Sequence, residues 1–360
     1  MKLENNIFKI ITDSGSGTGF FLKGYDYIIT NYHVVAGFRE VIIEDNQKNR
    51  YLSKVVMVNS LVDIAFLVVK DMPIVEKIIE LNPNLHIETT QEVNIAGYPF
   101  GMPFVITNGI ISSTKQIMDN RYYIQTDAAI NSGNSGGPMI DEENNLVAVV
   151  NSKFTEADNV GFGIPFSDIQ SELDNFTFKD EVYRVKCISC NNYLEKRVKF
   201  CDKCGKDINE KLFNTVEKEE DSQLTKVVEK AIANYGLNPK LCRVGKEFWE
   251  FYPKSNVIRF FTTNGEDSFY ANSPICSVPK ENIEEALKII NGNKVKPFNL
   301  GIYAKNNTIC LYYRIFQFDV TNDVSRDEVM HNLELFISKS IKLSEYFIQK
   351  FNADVAIESK

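Results

Sequence analysis

The chain has 360 residues, 44% of them hydrophobic and 24% charged, which excludes a protein disordered or collagen-like throughout. At roughly 100 to 200 residues per domain, that length predicts two or three domains, each able to bury a core. The formal charge is −8, its acidic excess falls within residues 1–180, and no strongly basic face is legible, so nucleic acid is not an expected partner.

Seven cysteines are an odd number, which does not suit the disulfide scaffold of a small secreted protein. The opening MKLENNIFKI lacks a basic stretch followed by a long apolar one, so no signal peptide is expected. No run approaches the roughly 18 apolar residues that cross a bilayer. The expectation is a cytoplasmic protein without membrane contact.

In chain order, short β segments come first: GFFLKG, YDYIITNYHVV, EVIIED, YLSKVVMV, DIAFLVVK, EVNIAGYP, YYIQTDAAI, NLVAVVNS and GFGIPF. Turn residues separate them and no long helical pattern intervenes, which predicts an all-β barrel or sandwich over residues 1–178. Residues 181–210 hold two CxxC pairs and too few apolar side chains for a core. A charged linker then leads into residues 220–360, where the order α-β-β-β-α-β-β-α predicts an α+β domain. The fold class expected is multidomain.

Three segments of the first domain carry chemistry. TNYH ends in His33, VDIAF contains Asp63, and NSGNSGGP contains Ser135. A serine nucleophile needs a base for its hydroxyl proton, and that base needs a carboxylate to fix its tautomer. The order His, Asp, Ser along the chain is that of chymotrypsin-like proteases. Gly133, two residues before the serine, can turn its N–H toward a developing oxyanion, and Gly133 and Ser135 are the expected donors. Gly136 and Gly137 are expected to let the chain pass close to the His33 segment.

GTGFFL, IITNYHVV, DIAFLVV, IQTDAAINSGNSGGPMI and VGFGIPFSDI together resemble the HtrA/Deg branch of trypsin-like serine endopeptidases. That resemblance covers the first domain. It implies a double six-stranded β-barrel, a protein substrate and no organic cofactor, with His33, Asp63 and Ser135 catalytic. It also places Ala129, six residues before the serine, at the base of the primary specificity pocket. Without a carboxylate there, cleavage after small or medium apolar residues is expected.

Cys187-x2-Cys190 is followed, after ten intervening residues, by Cys201-x2-Cys204. Two such knuckles can place four thiolates tetrahedrally around one structural Zn2+ at about 2.3 Å, leaving no open position for catalysis. The segment resembles a zinc ribbon. Cys242, Cys276 and Cys310 lack such spacing and are expected to pack as small apolar side chains. His86 and His331 belong to no motif, and the aromatic run Phe248, Trp249, Phe251, Tyr252 reads as core packing.

The C-terminal element order is similar to that of type III secretion chaperone-like and YbjN-like domains, which implies a regulatory protein partner or a homodimer. The expected function is a serine endopeptidase controlled by its ribbon and C-terminal domain, acting on one protein in stress or antiviral defence. The alternative is a non-catalytic adaptor presenting a peptide groove.

Overall fold

The computed structural model describes residues 2–151, 160–178, 180–215, 221–254, 256–263, 267–292 and 295–356. Residues 216–220 of the expected linker therefore lie outside the described residues. The chain divides into two compact units, 1–217 and 218–360.

In the first unit β1 (Ile7–Thr12), β2 (Gly15–Phe21), β3 (Ile28–Thr30), β4 (Glu40–Glu44), β5 (Arg50–Asn59) and β6 (Ile64–Val69) form one antiparallel barrel. Its order is β5-β4-β1-β2-β3-β6, closed by β5 pairing with β6. A second closed barrel joins β7 (Glu92–Gly97), β8 (Val105–Met118), β9 (Arg121–Thr126), β10 (Pro138–Ile140), β11 (Leu146–Asn151) and β12 (Gly161–Pro165) in the order β10-β11-β12-β9-β8-β7. Two six-stranded barrels fit the double-barrel trypsin-like fold.

The apolar runs are explained by burial on both strand faces. Successive strand residues point to opposite sides. Thus Phe8, Phe21, Ala65 and Leu67 join one core cluster, while Ile7, Phe20, Ile64 and Phe66 join another that also takes Ile140, Leu146 and Val149 of the second barrel. Val93, Ile95, Ile111 and Met139 belong to a third cluster, in the second barrel.

Two short helices complete the barrels. Helix α1 (Tyr32–Val35) is a single turn, and α2 (Phe166–Asn175) follows β12. The run YDYIITNYHVV was expected to be one strand. Instead β3 stops at Thr30, and His33 rides on α1. The sequence reading also missed β1, β8 and β10.

The cysteine segment belongs to the first unit. Strand β13 (Arg184–Lys186) pairs with β14 (Tyr193–Leu194) and, in parallel, with β5, matching Arg184 to Met57 and Val185 to Val58.

In the second unit α3 (Gln223–Asn234) and α4 (Pro239–Cys242) precede β15 (Arg243–Gly245), β16 (Phe248–Phe251), β17 (Ile258–Thr262) and β18 (Ser268–Ser277). Then come α5 (Ile283–Asn291), β19 (Asn299–Tyr303), β20 (Thr308–Phe316), α6 (Gln317–Thr321) and α7 (Arg326–Phe351). The strands form one antiparallel sheet, β15-β16-β17-β18-β20-β19. The expected order gains α4, β15 and α6: Asn238 caps α4 by accepting from the Lys240 N–H, and the chain leaving β20 turns at Gln317 into α6.

Trp249, Phe251 and Phe260 of the sheet share a core with Val228 of α3 and with Leu333, Phe336 and Ile337 of α7. Among the described residues, no helix is long and apolar enough to cross a membrane.

Candidate active site and cysteine cluster

His33 is held by a single residue at two points. Its ring Nδ1 lies 2.7 Å from Asp63 Oδ2, and its backbone N–H donates to Asp63 Oδ1 at 2.9 Å. An ionised carboxylate only accepts, so Nδ1 carries the proton and Nε2 is the ring's acceptor. Asp63 is buried and adopts φ 62°, a left-handed conformation that a non-glycine residue keeps only when its surroundings hold it. Those surroundings are visible. The Asp63 carbonyl accepts from Tyr32 N–H and from Asn31 Nδ2, each at 3.1 Å. Asn151 Nδ2, at the end of β11, donates to Asp63 Oδ2 at 3.2 Å. The second barrel thus helps orient the first barrel's acid.

Ser135 sits buried on the turn before β10. Gly17 lies between the side chain of Val34, next to His33, and the Ser135 carbonyl. That places the serine turn beside α1. Gly136 has φ +83° and touches Thr30 Oγ1, the Thr18 carbonyl and Asn31 N, so a side chain there would collide with the barrel carrying His33. The close pass expected of Gly136 is present, whereas Gly137 packs on the Ala96 and Asn134 carbonyls and on Thr18.

The loop ahead of the serine is pinned by its carbonyls. Thr18 Oγ1 donates to the Gly133 carbonyl at 2.7 Å, and Thr18 N–H donates to the Ser135 carbonyl at 2.8 Å. The Ser132 carbonyl accepts from Phe100 N–H at 2.6 Å. Because a trans peptide points its N–H opposite to its C=O, that last bond turns the Gly133 N–H away from Phe100. Gly133 itself has φ +101°, open to glycine and strained for other residues. Thr18, Thr30 and Asn151 were missed in the sequence, since a threonine in a glycine-rich strand and an asparagine at a strand end are ordinary surface choices.

Ala129 is exposed, and its carbonyl accepts from Thr107 Oγ1 at 3.0 Å. The next side chain, Ile130, packs on Gly161. His86 is exposed beside Glu88, and His331 is exposed on α7.

Cys187, Cys190, Cys201 and Cys204 converge, their sulfur atoms all within 4.8 Å of one another. The Cys187–Cys204 and Cys190–Cys201 sulfurs are 3.8 and 3.6 Å apart. Tetrahedral coordination at about 2.3 Å separates sulfurs by about 3.8 Å, so the four could hold one metal ion.

The two knuckles repeat one geometry. Asn191 (φ 59°) and Gly205 (φ 72°) each close a turn by donating N–H to the Cys187 and Cys201 carbonyls, at 3.1 and 2.9 Å. Gly205 therefore bonds a carbonyl, and the amides that bond the Cys201 sulfur are those of Cys204 and Lys203. Burial opposes ionisation of Cys201, but these amides and the neighbouring thiols outweigh it and bring the thiol down to about 7. Cys190 accepts the Asn192 amide, yet burial and the other three sulfurs push it up to about 12. Held as four thiolates, the cluster would call for a cation between the sulfurs. Cys242, Cys276 and Cys310 are buried and lie outside this cluster.

Residues 17–149 match the family of trypsin-like peptidase domains. The serine protease Do-like HtrA of Bacillus subtilis (strain 168) is 34% identical over 188 residues, 48% of this chain and 42% of the relative. Probable periplasmic serine endoproteases described as DegP-like are 31% identical over 179 residues in Marinomonas sp. (strain MWYL1) and 33% over 172 residues in Pseudomonas putida (strain GB-1). These alignments take in 48% and 46% of this chain and 37% and 35% of the relatives. The chain thus spans less than half the length of the curated relatives it matches. Its N-terminal half is similar to HtrA and DegP-like serine proteases, and the match of residues 17–149 to trypsin-like peptidase domains falls within that half.

Proposed function

We propose that the protein is a serine endopeptidase that cleaves protein substrates through His33, Asp63 and Ser135. The observation that carries this reading is the two-point grip of Asp63 on His33. It fixes the imidazole tautomer, so Nε2 is free to act as base toward a serine hydroxyl.

In the reaction, Ser135 Oγ attacks the scissile carbonyl while His33 takes its proton. Asp63 stabilises the imidazolium that forms, and the N–H groups of Gly133 and Ser135 receive the oxyanion. His33 then returns the proton to the leaving amine. The acyl-enzyme is released by water along the same path. The geometry that supports the Gly133 role is the anchored Ser132 carbonyl, which fixes that peptide's direction before substrate arrives.

We assign Ala129 and Ile130 to the primary specificity pocket, where an uncharged floor favours small or medium apolar side chains. Cys187, Cys190, Cys201 and Cys204 would hold one zinc ion, which supplies folding energy to a segment with little core of its own and takes no part in bond breaking. A reducing compartment, as in the cytoplasm, suits four thiols kept ready for a metal. The C-terminal α+β unit is read as an interaction module that brings a partner or substrate.

The reading is tested by digesting a peptide library with the full chain beside Ser135→Ala. Cleavage lost in the variant and falling after apolar residues is the expected result. Ser135-dependent cleavage after Arg or Lys would overturn the pocket assignment alone, and cleavage unchanged in Ser135→Ala would overturn the triad.

A further inference from the structure

We infer that Lys186, the residue before the first cysteine of the cluster, is a positioning residue for Asp63, so that building the metal knuckle and setting the triad are coupled. The inference rests on the protease and zinc readings above and adds the link between them.

The link is a buried chain of contacts. Parallel pairing of β13 with β5 puts Val185 level with Val58, and so Lys186 level with Asn59. Lys186 Nζ lies 2.9 Å from Glu172 Oε2 on α2, with side-chain exposures of 2% and 4%. The other Glu172 oxygen, Oε1, accepts from Asn59 Nδ2 at 2.9 Å. Asn59 Oδ1 in turn accepts the N–H of Leu61 at 3.0 Å and of Val62 at 3.3 Å. The next residue is Asp63, held in its left-handed conformation.

The direction of dependence follows from charge and geometry. A carboxylate this deeply buried is strongly disfavoured without its cation, and the ammonium without its anion. Lys186 therefore holds the Glu172 carboxylate in place, Glu172 orients the Asn59 amide, and Asn59 shapes the turn that delivers Asp63. Lys186 is itself fixed from its far side. Neighbouring strand residues point to opposite faces, so Cys187 turns toward the cluster while Lys186 turns toward α2. The Cys187 N–H donates to the Asn192 carbonyl at 2.7 Å, closing the knuckle behind it.

A second contact of the cysteine segment falls just beyond the helix that carries His33. Arg39, just beyond α1, stacks its guanidinium 3.4 Å from the Tyr183 ring centroid and donates Nη2–H to the Phe213 carbonyl at 2.7 Å. Tyr183 and Phe213 flank the cysteine segment at its two ends. The chain just after the His33 helix and the turn that leads to Asp63 are thus both tied to the same docked segment.

The test reads the proton between His33 and Asp63 directly. The full chain, purified with zinc, is compared with Lys186→Met, Glu172→Gln and the double variant, which buries neither charge alone. The low-field imidazole proton resonance of His33 Nδ1–H, assigned by its loss in Asp63→Asn, is recorded with kcat and KM on a peptide substrate. In the double variant we expect a cooperative melt, a lost or shifted resonance, and a kcat lowered about tenfold or more at a KM within about twofold of the parent.

Stripping zinc from the parent chain should erase the resonance, and returning zinc should restore it; this arm stands if the double variant does not fold. A resonance and kcat within about twofold of the parent in a folded double variant, or a resonance that survives verified zinc removal, overturns the inference. Failure of the protease reading looks different: the parent chain then resists labelling by a fluorophosphonate, while the resonance still reports on the relay.

Discussion

Thr18 and Gly133, 115 positions apart in sequence, are joined by a buried hydrogen bond of 2.7 Å in which the threonine hydroxyl donates to the glycine carbonyl. The same hydroxyl accepts the Tyr98 N–H at 3.1 Å. Thr18→Val keeps the shape and removes the donor, leaving both partners unsatisfied at a cost of about 1–3 kcal/mol. Steady-state peptide kinetics should show kcat lowered roughly 10- to 100-fold with KM little changed, since the oxyanion loop matters most at the transition state. An unaltered kcat would remove Thr18 from the account.

Gly136 tests how closely the serine turn meets the first barrel. A methyl group there would overlap Thr30 Oγ1 and the Thr18 carbonyl at a backbone φ of +83°. Gly136→Ala is expected to cost about 2–4 kcal/mol, combining overpacking with backbone strain. Urea midpoints measure it; a variant as stable as the parent would mean the two segments separate readily.

For the cysteine cluster the expected outcome is one zinc per chain by metal analysis. Cys201→Ser should lose the metal and lower the melting temperature, because metal binding and local folding are linked. Metal content well below one per chain in protein purified without chelators would count against the assignment.

Glu44 is expected to contribute to stability against acid. Burial pushes its carboxyl up, but Arg50 at 2.7 Å and Lys48 at 3.2 Å outweigh burial and hold it below the ordinary value of 4.5. A group lowered on folding contributes stability that is fully present above its unfolded pKa and is lost as pH falls through the folded one. Urea midpoints of the parent should therefore decline as pH drops below 4.5. Glu44→Gln should be less stable at neutral pH and show a shallower decline; equal slopes would show that Glu44 does not carry the effect.

The sequence made the reactive groups legible but not their supports. His33, Asp63 and Ser135 stand in distinctive motifs, and the doubled CxxC spacing announces its cluster. Strand β8 was overlooked because its run VITNGIISSTKQIM mixes Gly, Asn and Ser with apolar residues, and only barrel closure makes it continuous. His33 read as part of a strand because Val34 and Val35 favour one; the Asp63 contacts to Asn31, Tyr32 and His33 settle the helical turn. Lys186 has no signal of its own in the sequence beside the cysteine spacing. Its burial follows from β13 being covered on both faces, which depends on a parallel partner more than a hundred residues earlier and on α2.

The most direct test of the central claim is labelling of the full chain with a fluorophosphonate, followed by peptide mapping. The account predicts an adduct on Ser135 that is absent from Ser135→Ala and strongly reduced in His33→Ala. No adduct on the parent chain, with or without partner proteins, or equal labelling of Ser135→Ala, would contradict it and leave a protease-shaped binding module in its place.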